Sequence, residues 1–169
     1  MKMTKKVLVA YATRYGSTKD IADKIAQILT EDGYDADSKN ILDITQTDEY
    51  GAVIAGSAIQ MGKWLPEAKD FMQTFKTHLN RVPLFVFSCG ITLNKPDENV
   101  IRKAYFSTDE IKQYVSPKET GLFAGKLDTS LLSDSDKDLV VLAKPECGDF
   151  RDYDEVKKWV LKIESEYLR

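Results

Sequence analysis

Short, nearly continuous apolar runs alternate along this chain with longer segments whose apolar residues recur every three or four positions. The runs are typical of parallel strands buried on both faces, and the longer segments are typical of amphipathic helices. The predicted strands are residues 7–12, 35–41, 52–57, 84–88 and 121–127, and the predicted helices are residues 18–32, 66–79, 97–114 and 152–167. This alternation predicts an α/β fold, a doubly wound five-stranded parallel sheet with helices on both faces.

Glycine and proline mark some of the element ends. Gly33 follows the first predicted helix where a C-terminal cap is expected, and Pro66 suits the first turn of the second. The segment 97–114 holds one helix or two, and the apolar run 139–143 is either an extension of the sheet or a packed connection. With 169 residues in total, we expect a single domain over residues 1–169.

Composition excludes several classes of function. The formal net charge of −3 argues against a nucleic-acid partner. No apolar run approaches the ~18 residues of a membrane span, and the first residues lack a signal-peptide pattern. We therefore expect a cytoplasmic protein without a membrane span.

The rare residues limit the chemistry further. His78 is the only histidine, so sites that need two or three imidazoles are excluded, and we expect it to act at a surface or a helix end. Cys89 and Cys147 lack metal-ligand spacing, and we expect no disulfide between them. No metal ligand is assigned, and no side chain is assigned as a catalytic acid or base. Reactivity therefore has to come from hydroxyls, backbone groups, a few charges or a bound cofactor.

A loop rich in hydroxyl groups joins the first predicted strand to the first predicted helix. Ligands of open parallel sheets bind beyond the carboxyl ends of the strands, and the first N–H groups of a helix attract anions. We therefore expect a phosphate group here, and the alternative is that Ser17 or Thr18 only caps the helix. The residues of this predicted phosphate loop are Thr13, Arg14, Tyr15, Gly16, Ser17 and Thr18.

Two common phosphate-binding motifs are absent from the sequence. The glycines nowhere have the spacing G-x-G-x-x-G that is typical of dinucleotide-binding folds. Residues 56–64 come close to a P-loop, but five residues separate the glycines and Trp64 stands where Ser or Thr would hold magnesium. Neither a dinucleotide enzyme nor a nucleotide triphosphatase is indicated.

Four segments carry a resemblance to the flavodoxin family. Residues 12–18, ATRYGST, resemble its FMN-phosphate loop, and residues 50–57 are similar to its third strand. Together with residues 56–64 and 148–152, they resemble the branch that includes the menaquinone-dependent protoporphyrinogen oxidases. The similarity covers nearly the whole chain and implies a flavodoxin-like domain that binds FMN non-covalently.

The resemblance also places two segments beside the FMN ring. The first contains Ala58, Ile59, Gln60, Met61, Gly62 and Trp64, and the second contains Ser88, Cys89, Gly90, Ile91, Thr92 and Leu93. Trp64 either stacks near the ring or packs ahead of the following helix, and Cys89 is expected to be a small buried side chain. The second segment lacks the stacking Tyr that electron-carrier flavodoxins place there, which implies a more open ring face.

The last third of the chain leaves its alternatives open. Lys126 and Asp128 either contact a substrate or partner or are surface charges. The short, acidic segment 129–138 stands where membrane-associated relatives carry a long basic insertion, which argues against docking to a membrane or a porphyrin. Gly148 is expected to serve a turn, and Asp149 or Asp152 to cap the last helix.

These residues lead to one functional hypothesis and two alternatives. The hypothesis is an FMN-binding oxidoreductase that transfers electrons from a reduced donor to a small-molecule acceptor such as a quinone. A protoporphyrinogen oxidase-like activity is one version of this hypothesis. The first alternative is an electron carrier for a partner protein. The second is a non-redox module that binds another phosphate ligand on the same fold. The oligomeric state is not predicted.

Overall fold

The computed structural model describes residues 6–90, 93, 97–127, 133–134 and 148–168. The strands are β1 (Lys6–Ala12), β2 (Asp35–Asn40), β3 (Ala52–Gln60), β4 (Lys63–Trp64), β5 (Leu84–Gly90), β6 (Glu119–Ala124), β7 (Lys126–Leu127) and β8 (Gly148–Asp149). The helices are α1 (Ser17–Glu31), α2 (Pro66–Thr74), α3 (Lys76–Leu79), α4 (Glu98–Phe106) and α5 (Tyr153–Ile163). Short 3₁₀ turns span Ile41–Asp43 and Ile111–Gln113, and a π-type turn spans Glu164–Leu168.

Five of the strands form one parallel sheet in the order β2-β1-β3-β5-β6. The chain runs outward from β1 to β2 and then crosses to β3 on the other side of β1. The strand order therefore reverses between β1 and β3, which is where ligands of such sheets bind. The predicted fold class is confirmed.

The core consists of two apolar layers, one on each face of the sheet. Along β1, Val7 and Val9 face the layer that contains α1 and α5, whereas Leu8 and Ala10 face the layer that contains α2. All four side chains are fully buried. Burial on both faces explains why this strand is an unbroken apolar run rather than an alternating one.

Two predicted elements are divided in the structure. The predicted strand 121–127 breaks at Gly125, because Gly125 N donates to Gly90 O and Gly125 O accepts from Phe150 N. Lys126 and Leu127 then pair antiparallel with β8 as a separate ribbon. The predicted helix 66–79 breaks at Phe75, whose φ of −104° and ψ of 14° end α2 before α3 begins.

Several predictions fall outside the described residues. These are the apolar run 139–143, most of the acidic segment 129–138, and the positions of Asp128 and Cys147. In the part of the chain that is described, no helix combines the length and the apolar character needed to cross a membrane.

Candidate functional site

Loops that follow β1, β3, β5 and β6 meet at the carboxyl edge of the sheet. Arg14 of the first loop donates to Oε1 of Gln60 at the end of β3, with 2.8 Å between the two atoms. Gly125 N, directly after β6, donates to Gly90 O at the end of β5 over 3.2 Å. The Cδ1 atom of Ile59 lies 3.4 Å from where a Cβ atom on Gly90 would stand. The sheet thus brings the three segments singled out in the sequence into one neighbourhood.

The phosphate loop turns sharply into α1 at Gly16. Gly16 is the N-cap residue, and its φ of 97° lies in the left-handed region that favours glycine. Its N–H donates to Thr13 Oγ1 over 2.9 Å, and no side chain caps the helix. The alternative in which Ser17 or Thr18 caps the helix is therefore wrong. The first N–H groups of α1 have no partner within the helix and face the carboxyl edge of the sheet.

The three hydroxyl groups of this loop have different surroundings. The Thr13 oxygen accepts from Gly16, so its own O–H remains able to donate. Ser17 Oγ accepts from the N–H of Lys126 over 3.0 Å and donates to its carbonyl over 3.3 Å, so the Ser17 side chain holds β7 against the loop. Lys126 thus joins the site through its backbone.

Thr18 has a buried hydroxyl for which the described residues supply no hydrogen-bond partner. The residue is 1% exposed. Its hydroxyl lies beside the Cys89 thiol, a weak hydrogen-bonding group, and this interaction opposes the rise of the thiol's pKa that burial causes. An orphaned buried hydroxyl is costly to a folded protein, and a ligand oxygen that accepts from it removes the cost.

The exposed residues of the phosphate loop are a cation and an aromatic ring. The Arg14 guanidinium lies 5.9 Å from the centre of the Tyr15 ring, and Tyr15 Oη accepts from Ser133 N over 3.3 Å. The fixed charge of Arg14 stands beside the positive end of the α1 dipole. Together they make this end of the helix attractive to an anion.

Arg151 forms ion pairs with two acidic side chains near the phosphate loop, Asp20 and Asp149. Its Nη1 donates to Oδ2 of Asp20, in the first turn of α1, over 2.5 Å. Two further bonds, of 2.8 and 2.6 Å, reach both carboxylate oxygens of Asp149. These bonds lower the pKa of Asp149 to about 2. The predicted cap of the last helix is Asp152, which accepts from Asp154 N and Glu155 N, whereas Asp149 belongs to the Arg151 cluster.

Sequence reasoning does not identify Arg151. Its signal is the Asp-x-Arg spacing with Asp149, which allows the fork of the guanidinium to turn back on the carboxylate. Asp20 lies 131 residues away in sequence, so its part in the cluster follows only from the packing of α1 against α5.

The segment predicted as the first ring-contacting loop is a β-hairpin. Ala58, Ile59 and Gln60 belong to β3, which pairs with β4 through Ile59–Trp64 and Gln60–Lys63. Met61 and Gly62 form the two-residue turn, with φ values of 53° and 78°. Positive φ at both positions is the requirement of a type I′ turn. Met61 is 80% exposed, so the hairpin presents an apolar, polarizable side chain at its tip.

Trp64 lies inside the protein rather than at the surface. It is 3% exposed, and its indole N–H donates to Ser88 Oγ over 2.8 Å. This placement agrees with the packing alternative for Trp64. Ser88 is fully buried, and its hydroxyl is bonded to Trp64 and Ser107 rather than directed at a ligand.

The second predicted ring-contacting loop is in part a strand. Ser88, Cys89 and Gly90 complete β5, Leu93 is buried, and Ile91 and Thr92 lie outside the described residues. Burial raises the pKa of the Cys89 thiol to about 12, and the residue is 4% exposed. Cys89 is therefore the small buried side chain that the sequence predicts.

The remaining titratable residues do not extend the site. His78 lies in α3, and one of its ring nitrogens is 2.9 Å from the carbonyl oxygen of Tyr50, just before β3 begins. This places it at the opposite edge of the sheet. Within the described residues, no group of three or more His, Cys, Asp or Glu side chains is arranged to hold a metal ion.

Comparisons with known proteins agree with this architecture. The family described as "Flavodoxin domain" matches residues 8–154. Protoporphyrinogen IX dehydrogenase (quinone) of Escherichia coli strain K12 is 30% identical over 95 residues, which are 55% of this chain and 52% of that protein. The chain thus spans about half the length of the curated relatives it matches.

Two solved structures extend the comparison to the whole fold. Oxidised flavodoxin 2 from Bacillus cereus has a TM-score of 0.64 at 18% identity, with 96% of this chain and 99% of that one covered. Fusobacterium nucleatum flavodoxin bound to flavin mononucleotide has a TM-score of 0.57 at 14% identity, with 97% and 99% covered. At these identities the likeness concerns the fold alone.

Proposed function

Because this chain belongs to the flavodoxin-domain family, we propose that it binds FMN non-covalently and transfers electrons from a reduced donor to a small-molecule acceptor such as a quinone. The FMN supplies the one- and two-electron redox chemistry when it is bound. The chain supplies a phosphate site, a shaped wall for the ring and access for the acceptor. A cytoplasmic location is part of the same proposal.

The observation that carries the proposal is the Thr18 hydroxyl, which is buried at the start of α1 and for which no described residue meets the geometry of a hydrogen bond. A phosphate oxygen is the kind of acceptor it lacks. The Thr13 O–H, the first N–H groups of α1 and the charge of Arg14 complete a donor set suited to a phosphate dianion. Ser17 contributes through its backbone N–H, because its hydroxyl is committed to Lys126.

The hairpin and the end of β5 offer a wall for a flat ring. Ile59 packs beside Gly90, at an ordinary contact distance from where a Cβ atom of Gly90 would stand. Met61 stands exposed at the hairpin tip. The residues proposed to flank the ring are Ala58, Ile59, Gln60, Met61 and Gly62 of the hairpin and residues 88–93, with Trp64 supporting the hairpin from below.

A small-molecule acceptor is favoured by the lack of an exposed aromatic side chain in the two segments proposed to flank the ring. Residues 88–93 include no aromatic side chain. The single aromatic residue of the hairpin segment, Trp64, is buried. An open ring face admits a flat acceptor, and the E. coli relative is named as a dehydrogenase whose acceptor is a quinone.

Electron transfer to a partner protein is the second candidate. It is supported by the flavodoxins of B. cereus and F. nucleatum, nearly all of whose length this chain covers. The two candidates share the cofactor and differ in what reoxidises it.

A flavin titration followed by an anaerobic acceptor panel tests both candidates. The cofactor-free protein should bind FMN with quenching of the flavin fluorescence. After reduction, a soluble quinone such as menadione should reoxidise the protein with saturation kinetics. Saturation with cytochrome c as a protein acceptor, combined with a slow and unsaturable quinone reaction, would favour the carrier. Protein that binds no FMN would refute both and leave the non-redox alternative.

Protoporphyrinogen belongs in the same experiment as a possible donor. The relative's name supports its inclusion, and the acidic character of residues 129–138 argues against it. Oxidation that depends on both FMN and quinone would identify it as the donor, and its absence would leave the quinone reaction standing.

A further inference from the structure

The base of the hairpin is fixed by a chain of buried polar groups that no ligand contact requires. Trp64 Nε1 donates to Ser88 Oγ over 2.8 Å, and Ser88 Oγ lies 3.2 Å from Ser107 Oγ. Ser107 Oγ in turn donates to the carbonyl of Ala104, in α4, over 2.5 Å. Trp64, Ser88 and Ser107 are 3%, 0% and 4% exposed. The chain thus joins three separate elements, β4, β5 and the end of α4.

The direction of this chain follows from the chemistry of its two ends. An indole N–H can only donate, and a carbonyl oxygen can only accept. The single hydroxyl proton of Ser107 goes to Ala104 O, so the contact between the two serines has Ser88 as its donor. Every proton is used once and the bonds all point the same way. Such a chain is cooperative, and losing one member weakens the others.

A second hydroxyl anchors the hairpin independently. Ser57 Oγ accepts from Leu65 N over 3.0 Å and donates to the carbonyl of Ala58 over 2.9 Å. These bonds hold the residues that flank the hairpin on both sides. Hydrogen bonds on both sides of the hairpin therefore hold the turn at Met61, a non-glycine residue with a positive φ.

We infer that Trp64 and Ser88 are positioning residues, which hold the hairpin of residues 59–64 in the one place where its tip forms a wall for the bound ring. The identity of that ring rests on the proposed function. The rigidity of the hairpin does not, because it follows from buried hydrogen bonds of the protein alone.

The second tryptophan of the chain provides a matched control. Trp159 also packs among aromatic rings, with Phe87 and Phe123. Its indole nitrogen is buried and has no hydrogen-bond partner among the described residues. Replacing either tryptophan by Phe removes a similar ring volume, but among the described residues only Trp64→Phe breaks a hydrogen bond.

Amide hydrogen exchange on the cofactor-free protein tests the rigidity directly. In Trp64→Phe and in Ser88→Ala, we expect the hairpin amides to exchange about five- to tenfold faster, the factor that loss of one buried hydrogen bond produces. The double variant should exchange no faster than the more affected single variant, because both changes break the same bond. Trp159→Phe should leave the hairpin unchanged.

Flavin affinity supplies a readout that a general loss of stability does not mimic. We expect Trp64→Phe and Ser88→Ala to weaken riboflavin and FMN by similar factors, because the hairpin flanks the ring and reaches the phosphate loop only through the bond of Gln60 to Arg14. The ratio of the two dissociation constants therefore stays close to its wild-type value. Thr13→Ala, in contrast, should weaken FMN alone and change the ratio.

Two results would overturn the inference. One is hairpin exchange at the wild-type rate in Ser88→Ala, a variant that removes one atom and tests the bond even if Trp64→Phe fails to fold. The other is a double variant whose effect equals the sum of the single effects. If the wild-type protein binds neither flavin, the proposed function fails while hydrogen exchange still decides the role of Trp64 and Ser88.

Discussion

Replacing Thr18 by Val should make the cofactor-free protein more stable and its FMN binding weaker. Val has the shape of Thr without the hydroxyl, and both residues have similar helix propensities. An unsatisfied buried hydroxyl costs ~1–3 kcal/mol, so we expect Thr18→Val to raise the free energy of unfolding by about 1–2 kcal/mol. In a chain of this size, each kcal/mol raises the Tm by about 2–4 °C.

The same substitution removes a donor to the phosphate. A hydrogen bond to a charged group contributes about 1.5–3 kcal/mol, which corresponds to a Kd for FMN roughly ten- to a hundredfold higher. Urea unfolding without flavin measures the first effect, and a fluorescence titration with FMN measures the second. Because saturating FMN stabilises the wild type more, the advantage of the variant should shrink or reverse when FMN is added.

Thr18→Ser is the matched control for this prediction. It keeps the hydroxyl and removes a buried methyl group, so it should lower the stability of the cofactor-free protein and retain FMN binding within about threefold, well below the loss of a charged hydrogen bond. The reasoning would be refuted by a Thr18→Val variant that is less stable than the wild type, or by one that binds FMN equally well.

Three further predictions concern stability and reactivity. The first is that Gly56→Ala should lower the free energy of unfolding, measured in urea, by about 3 kcal/mol or more. The reason is that the added Cβ atom would stand 2.0 Å from the buried Phe87 ring. A loss of less than about 1 kcal/mol would contradict the prediction. The second prediction concerns Cys89 in a Cys147→Ser background at pH 8. Because burial raises the pKa of the Cys89 thiol to about 12, the native protein should react with a thiol reagent at least ~100-fold more slowly than the denatured protein. Equal rates would argue against the burial of Cys89. The third prediction concerns Asp149, whose pKa falls on folding from 3.8 to about 2. The ionised carboxylate therefore stabilises the folded protein fully above pH 3.8, and this stabilisation is lost as the pH drops from 3.8 to about 2. Asp149→Asn should flatten the pH–stability curve in this range, and an unchanged curve would count against the pairing with Arg151.

The strands and helices that bury a clear apolar face could be predicted from the sequence. Residues 7–12 show why, since an apolar run in which both faces are buried has few other structures open to it. The turn between β1 and α1 was predictable for a similar reason, because Gly16 lies between an apolar run and an amphipathic segment, whereas its binding of phosphate stays a prediction. In both segments, the order of apolar and polar residues is enough to predict the local backbone structure.

The hairpin and the division of the last strand depended on partners far away in sequence. Met61-Gly62 is an unusual type I′ turn, for which Asn-Gly or Asp-Gly is the common signal. Buried Trp64 bonds Ser88, and the predicted strand 121–127 is interrupted where Gly125 bonds Gly90 and Phe150. Single-sequence periodicity carries no information about such contacts.

The strand order also has a consequence for how the protein folds. β3 lies at the centre of the sheet and pairs with β1, about forty residues earlier in the chain, while β6 can join only after β5 is in place. The hydrogen bonds of Ser17 to Lys126 and of Arg151 to Asp20 each close more than one hundred residues of chain. Such non-local contacts form late and slowly. The proposed flavin site, which draws on the loops after β1, β3 and β5, is therefore complete only once these long-range contacts have formed.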